Sequence, residues 1–167
     1  MRDRRIEVVM TMLSSHTEIF AIIADPRRHF EFDGSGMLRE AVEGRPISGV
    51  GDRFTLKMHR LCDDYLMINY VVEFERDRRI FWEPAPGDAS RTEGNDPNKI
   101  GIAAGYRWGF ELEPLGGNET RVTEVFDPGP IPDDLIRDGG VWINGQNSIA
   151  ESMKATLAKL RELATKR

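Results

Sequence analysis

Glu124 is the side chain best placed by its neighbours to carry chemistry. Along Thr120 to Asp127 it alternates in phase with Val122 and Phe126. A carboxyl held among apolar side chains loses hydration, which penalises its charged form, so it keeps a proton that it can donate as an acid. The opposite phase, carried by Thr123 and Val125, turns the same carboxyl to water, and one bulge exchanges the two. Two phenols are the other candidate proton carriers. Tyr70 alternates with Ile68 and Val72, and Tyr106 with Trp108 and Phe110. Either hydroxyl could reach a cavity, and the plainer reading of both is a core aromatic whose hydroxyl bonds to backbone or water.

The remaining polar groups carry weaker signals. Asn144, Gln146 and Asn147 lie near the start of an amphipathic stretch, with Gln146 one helical turn from Trp142. His16, His29 and His59 lack metal-ligand spacing, and Asp63-Asp64 and Asp133-Asp134 lack the spacing of a calcium loop. Gly34-Ser-Gly36 has no third glycine and follows a helix signal, so it is not a dinucleotide fingerprint, and no serine sits in a nucleophile elbow. Cys62 is the sole cysteine, which excludes an intrachain disulfide and a cysteine-based metal cluster. Neither a metal nor a cofactor is expected.

The elements that position these groups follow from periodicity. Ile6 to Leu13 alternates as a strand, and Ser15 with Glu18 forms a capping-box pattern ahead of Ile19, Phe20 and Ile23. Pro26 ends that helix, a further helical turn fits up to Phe32, and Asp33 to Gly36 is a loop. Strands are predicted over Met37 to Glu43 and Arg53 to Arg60, the latter placing Phe54, Leu56 and Met58 on its core face. Tyr65 to Arg76 reads as the strongest strand, with Leu66, Ile68, Tyr70, Val72 and Phe74 inward, and turns back into Ile80 to Pro84. Residues 85–100 form a long loop, of the kind that serves as a lid or a disordered tip, before a second hairpin from Ile102 to Leu115 and Thr120 to Asp127. The Pro-rich run Asp127 to Asp133 is extended, and Val141 to Ala164 is a long amphipathic helix carrying Trp142, Ile149, Met153, Leu157 and Leu160.

The chain of 167 residues suits one domain, 1–167, with 40% apolar and 31% charged residues. The formal net charge of -5, with bases interleaved among acids, disfavours nucleic acid. No run approaches the roughly 18 apolar residues of a spanning helix, so no membrane insertion is expected. The absence of an export signal at Met1 to Leu13 predicts a cytoplasmic location. Segregated strands and helices predict an α+β fold: a curved antiparallel sheet of about seven strands around a long C-terminal helix, with two short helices after strand one.

That order resembles the SRPBCC or START-like superfamily, which includes the birch pollen allergen, lipid-transfer domains and polyketide cyclases. The resemblance covers nearly the whole chain. It is carried by Phe20 to Pro26, Phe32-Asp33-Gly34, Val50 to Phe54, Val72 to Glu75 with Arg79, Ile80 and Trp82, Thr120 to Glu124, and Ser152 to Leu163. Phe32 stands where many members carry tryptophan, and Phe126-Asp-Pro-Gly129 replaces a strand end that often reads tyrosine-aspartate-tryptophan. The resemblance implies a helix-grip fold around a ligand pocket, and the motifs carrying it are turns and packing positions, not catalytic signatures.

The expected pocket comprises Phe32, Phe54, Met58, Tyr70, Trp82, Tyr106, Trp108, Glu124, Phe126, Trp142, Gln146 and Met153. Three functions follow as expectations. The first is binding of an apolar, lipid-like or polyketide-like small molecule. The second is a polyketide cyclase or dehydratase using Glu124 and a tyrosine. The third is an interaction protein, because Tyr65, Met67, Asn69 and Val71 form a face too apolar for water, which would bury against a second copy in a homodimer.

Overall fold

A computed structural model describes residues 4–60, 62–132 and 148–166. Strand β1 (Ile6–Met12) is followed by helix α1 (His16–Ile23), a 3-10 turn (Pro26–Arg28) and the short helix α2 (His29–Phe32). Ser15 caps α1 by accepting from the Glu18 N–H at 3.2 Å, and Asp25 caps the 3-10 turn through the Arg27 N–H. Strands β2 (Leu38–Glu43), β3 (Arg53–Arg60), β4 (Asp63–Glu75), β5 (Arg79–Pro86), β6 (Arg107–Gly116) and β7 (Glu119–Asp127) then run as a meander. All pair antiparallel in the order β1-β7-β6-β5-β4-β3-β2, so the first strand closes beside the last.

Helix α3 (Ile149–Thr165) lies across the inner face of this seven-stranded sheet. Ser148 and Glu151 form a reciprocal capping box that starts it at Ile149. The periodicity predicts a start at Val141; residues 141–147, with Trp142 and Gln146 among them, lie outside the described residues.

The strongest sequence signal is also the one the structure reverses. On β4, Tyr65, Met67, Asn69 and Val71 point inward, whereas Leu66, Ile68 and Tyr70 lie on the outer face. The cause is a bulge: Val71 pairs with Trp82 but Glu73 with Phe81, leaving Val72 as an extra residue. Past it the phase inverts, and Phe74 returns to the core, edge-on to Phe20 with centroids 5.6 Å apart. The face read as a homodimer surface is therefore the inner wall of the protein.

The core has two ends. At one, Ile19, Phe20 and Ile23 of α1 pack with Phe54, Ile80, Leu112, Val122, Leu157 and Leu160 into a filled cluster. At the other, Met37, Tyr65, Tyr106, Phe126, Ile149 and Met153 pack around open space. Among the described residues no helix is long and apolar enough to cross a membrane.

Candidate functional site

A cavity of about 190 Å³ lies between the sheet and α3. Each wall follows from strand phase. Leu56 and Met58 come from β3, Tyr65, Met67 and Asn69 from β4, Trp82 and Pro84 from β5, Trp108 and Phe110 from β6, and Glu124 and Phe126 from β7. The helix contributes Ile149, Ser152, Met153 and Thr156, at the three- and four-residue spacings of one face. His29, Phe32, Asp33, Ser35 and Met37 close the α2 side.

Of the predicted pocket residues, Phe32, Met58, Trp82, Tyr106, Trp108, Glu124, Phe126 and Met153 line this cavity. Two do not. Phe54 is fully buried one layer behind it, edge-on to His29 and Trp82 at 5.3 and 5.5 Å between centroids, because that end of β3 meets the filled cluster. Tyr70 sits on the outer face, where its hydroxyl donates to the Gly101 carbonyl at 2.9 Å; the Val72 bulge accounts for the misplacement. Trp142 and Gln146 fall outside the described residues.

Glu124 shares the inner face with Val122 and Phe126 and is only 6% exposed. Its Oε2 has no hydrogen-bond partner among the described residues. Burial pushes its carboxyl well above the usual 4.5, with the nearby Asp33 charge adding to the shift. Asp33 is differently placed: its own carboxylate accepts from the N–H groups of Ser35 and Leu38 and from the Ser35 hydroxyl. On α3, Ser152 is 4% exposed, and its Oγ likewise has no partner among the described residues. A buried polar atom left unpaired costs about 1–3 kcal/mol, so two of them lining one cavity, one from the sheet and one from α3, single that cavity out.

Three site residues carried little sequence signal. His29 stacks on Trp82 at 5.4 Å between centroids, and its Nε2 sits 2.7 Å from the Ile23 carbonyl, to which it donates. Burial pulls its pKa down to about 4, so the ring is neutral at physiological pH. Asn69 was legible only as a member of the second β4 face, and Ser152 only as one turn of α3. The phenols are similarly dehydrated: burial pushes Tyr106 up to about 12 and raises Tyr65 as well.

At one side of the cavity, Arg91 places its guanidinium 4.5 Å from the Tyr65 ring centroid. The loop that carries it is pinned, since Asp88 accepts from the Leu66 N–H at 2.9 Å and the Gly101 N–H donates to the Pro86 carbonyl at 2.8 Å. The β5–β6 pairing stops at Trp82 and Trp108, while β5 itself continues to Pro86, and the loop is inserted there. Among the described residues no group of three or more His, Cys, Asp or Glu is arranged to hold a metal ion.

No family model matches the chain. It is 31% identical over 154 residues to the uncharacterised protein Rv0088 of Mycobacterium tuberculosis, a match covering 87% of this chain and 57% of that protein. The chain thus spans little more than half the length of that relative. Among solved structures it resembles the protein Ms6760 of Mycobacterium smegmatis, with TM-score 0.66, 15% identity, and coverage of 98% and 92% of the two chains. A protein of Arthrobacter aurescens gives TM-score 0.69 at 14% identity, over 98% and 87% of the respective chains. At such identities the likeness establishes the fold, a small α+β helix-grip protein with a curved antiparallel sheet and a C-terminal helix.

Proposed function

We propose that this chain is a member of the SRPBCC or START-like superfamily that binds an apolar small molecule between its sheet and helix α3. The observation that carries the proposal is the cavity of about 190 Å³, walled by Trp82, Trp108, Phe110, Phe126, Met58 and Met153. Concave, mostly apolar sites with a few convergent polar groups are where small ligands bind. Titration calorimetry with single-ring aromatic compounds tests this reading. Saturable binding is expected, and Met67→Trp, which narrows the cavity from β4, should weaken it. Unchanged binding to that variant would place the ligand elsewhere.

A second reading is an enzyme of the polyketide cyclase or dehydratase kind acting in the same cavity. It is favoured by Glu124, a carboxyl whose protonated form burial favours and which lines the cavity, as a general acid requires. Tyr106 lines the same space, whereas Tyr70 is withdrawn from the reading by its outward orientation. Conversion of a bound polyketide-like chain that is lost in Glu124→Gln would support it. A ligand recovered unchanged after incubation, with no effect of that substitution, would reject it.

A further inference from the structure

We infer that the ligand is an uncharged single-ring compound whose carbonyl oxygen is bound by Glu124 and Ser152. This rests on the cavity-binding reading above and specifies its occupant.

Size sets the first limit. A dry apolar cavity of roughly 150 Å³ takes one benzene ring, and this one measures about 190 Å³. One ring with a short substituent fills that volume, in a cavity that is open on one side. Shape agrees with size: the indoles of Trp82 and Trp108 and the rings of Tyr106, Phe110 and Phe126 offer flat walls for an aromatic guest.

Polarity sets the second limit. Glu124 Oε2 and Ser152 Oγ are both more than nine-tenths buried, both line the cavity, and both lack partners among the described residues. Each can present an O–H, the carboxyl because burial favours its protonated form. Two such donors on one cavity are satisfied by an acceptor oxygen. An anion would meet the Asp33 carboxylate in the same cavity, and His29 cannot balance it, being neutral with its Nε2–H committed to Ile23. Arg91 is exposed and lies over Tyr65. An ammonium group would require burying a full charge pair, which costs more than a neutral hydrogen bond.

The test compares near-isosteric probes by titration calorimetry on the full chain: acetophenone, α-methylstyrene, in which a methylene replaces the carbonyl oxygen, and benzylamine. Hydration of the carbonyl alone favours the hydrocarbon by about ten-fold or more in a featureless apolar cavity. The expected result is that acetophenone binds at least as tightly as α-methylstyrene. Ser152→Ala and Glu124→Leu should each move that ratio about five-fold or more toward the hydrocarbon, while Glu124→Gln, which retains a donor, should hold it within about two-fold. A marked preference for the hydrocarbon, a ratio unmoved by both Ser152→Ala and Glu124→Leu, or tighter binding of benzylamine would overturn the inference and leave the cavity reading standing. Binding of none of the three would overturn the cavity reading itself.

Discussion

The backbone N–H of Gly34 donates to Thr156 Oγ1 at 2.9 Å, and a β-carbon on Gly34 would lie 2.3 Å from the Ser152 carbonyl oxygen. The loop after α2 is therefore seated on the backbone of α3, and Lys159 reinforces it by donating to the Asp33 carbonyl at 2.9 Å. Only glycine permits that approach. Gly34→Ala must push the loop and helix apart, and it is expected to cost about 2–3 kcal/mol in chemical denaturation. It should also loosen ligand binding, since Asp33 and Ser152 flank the contact. A wild-type denaturation midpoint in this variant would show that the loop does not hold the helix.

Stability should respond to pH through two opposed groups. Unfolded, His29 takes a proton below its ordinary 6.5, but folded only below about 4. The unfolded state thus binds more protons in that window, and stability rises with pH across it by about 1.4 kcal/mol per unit. Glu124 has the reverse sign: folded it keeps its proton above 4.5, so its contribution is lost as pH rises. Above 4.5 the two slopes oppose each other. Denaturation of Glu124→Gln should show a steeper rise of stability with pH than the wild type, because the opposing Glu124 contribution is gone. Parallel curves for the two proteins would contradict the assignment.

A buried carboxyl without a partner is retained at the expense of stability. Glu124→Leu should therefore raise the free energy of unfolding by about 1–2 kcal/mol at neutral pH, as an unpaired polar group gives way to an apolar one of similar length. Thermal and denaturant unfolding both measure it. A destabilised Glu124→Leu would mean that the carboxyl is bonded within the fold and not held for a ligand.

The two faces of β4 should separate cleanly by mutation. Tyr70→Phe removes the hydrogen bond to Gly101 and should cost about 1 kcal/mol of stability, with the affinity of any cavity ligand held within about two-fold. Met67→Trp, three residues away on the opposite face, should instead weaken binding. Loss of binding in Tyr70→Phe would restore the phase that the bare alternation predicts.

What the sequence made legible depends on how unequal the two faces of each strand are. On β6, Trp108, Phe110 and Leu112 stand against Arg107, Glu111 and Glu113, and the inner face is unambiguous. On β7 the sequence leaves both phases open, and Val122, Glu124 and Phe126 face inward because no bulge intervenes in the register with β1. On β4 both faces are apolar, and the phase is decided by Val72, whose bulge depends on its pairing with β5. A one-residue irregularity in a partner strand has no local signature. His29, Asn69 and Ser152 are not legible as cavity residues for a related reason: each acquires its role from neighbours distant in sequence, such as Trp82 against the His29 ring.

The Ser14 hydroxyl donates to the Ala164 carbonyl at 2.9 Å, and Thr120 donates to the Ser14 carbonyl at 2.8 Å, tying the end of β1 and the start of β7 to the last turn of α3. Contacts so remote along the chain form late, because the closure of a long loop precedes any gain from them. A nascent chain emerging from the ribosome would hold its aromatic inner face bare until α3 has been synthesised. That interval, more than the finished protein, is when this sheet is exposed to aggregation, and a chaperone that shields it then would set the yield.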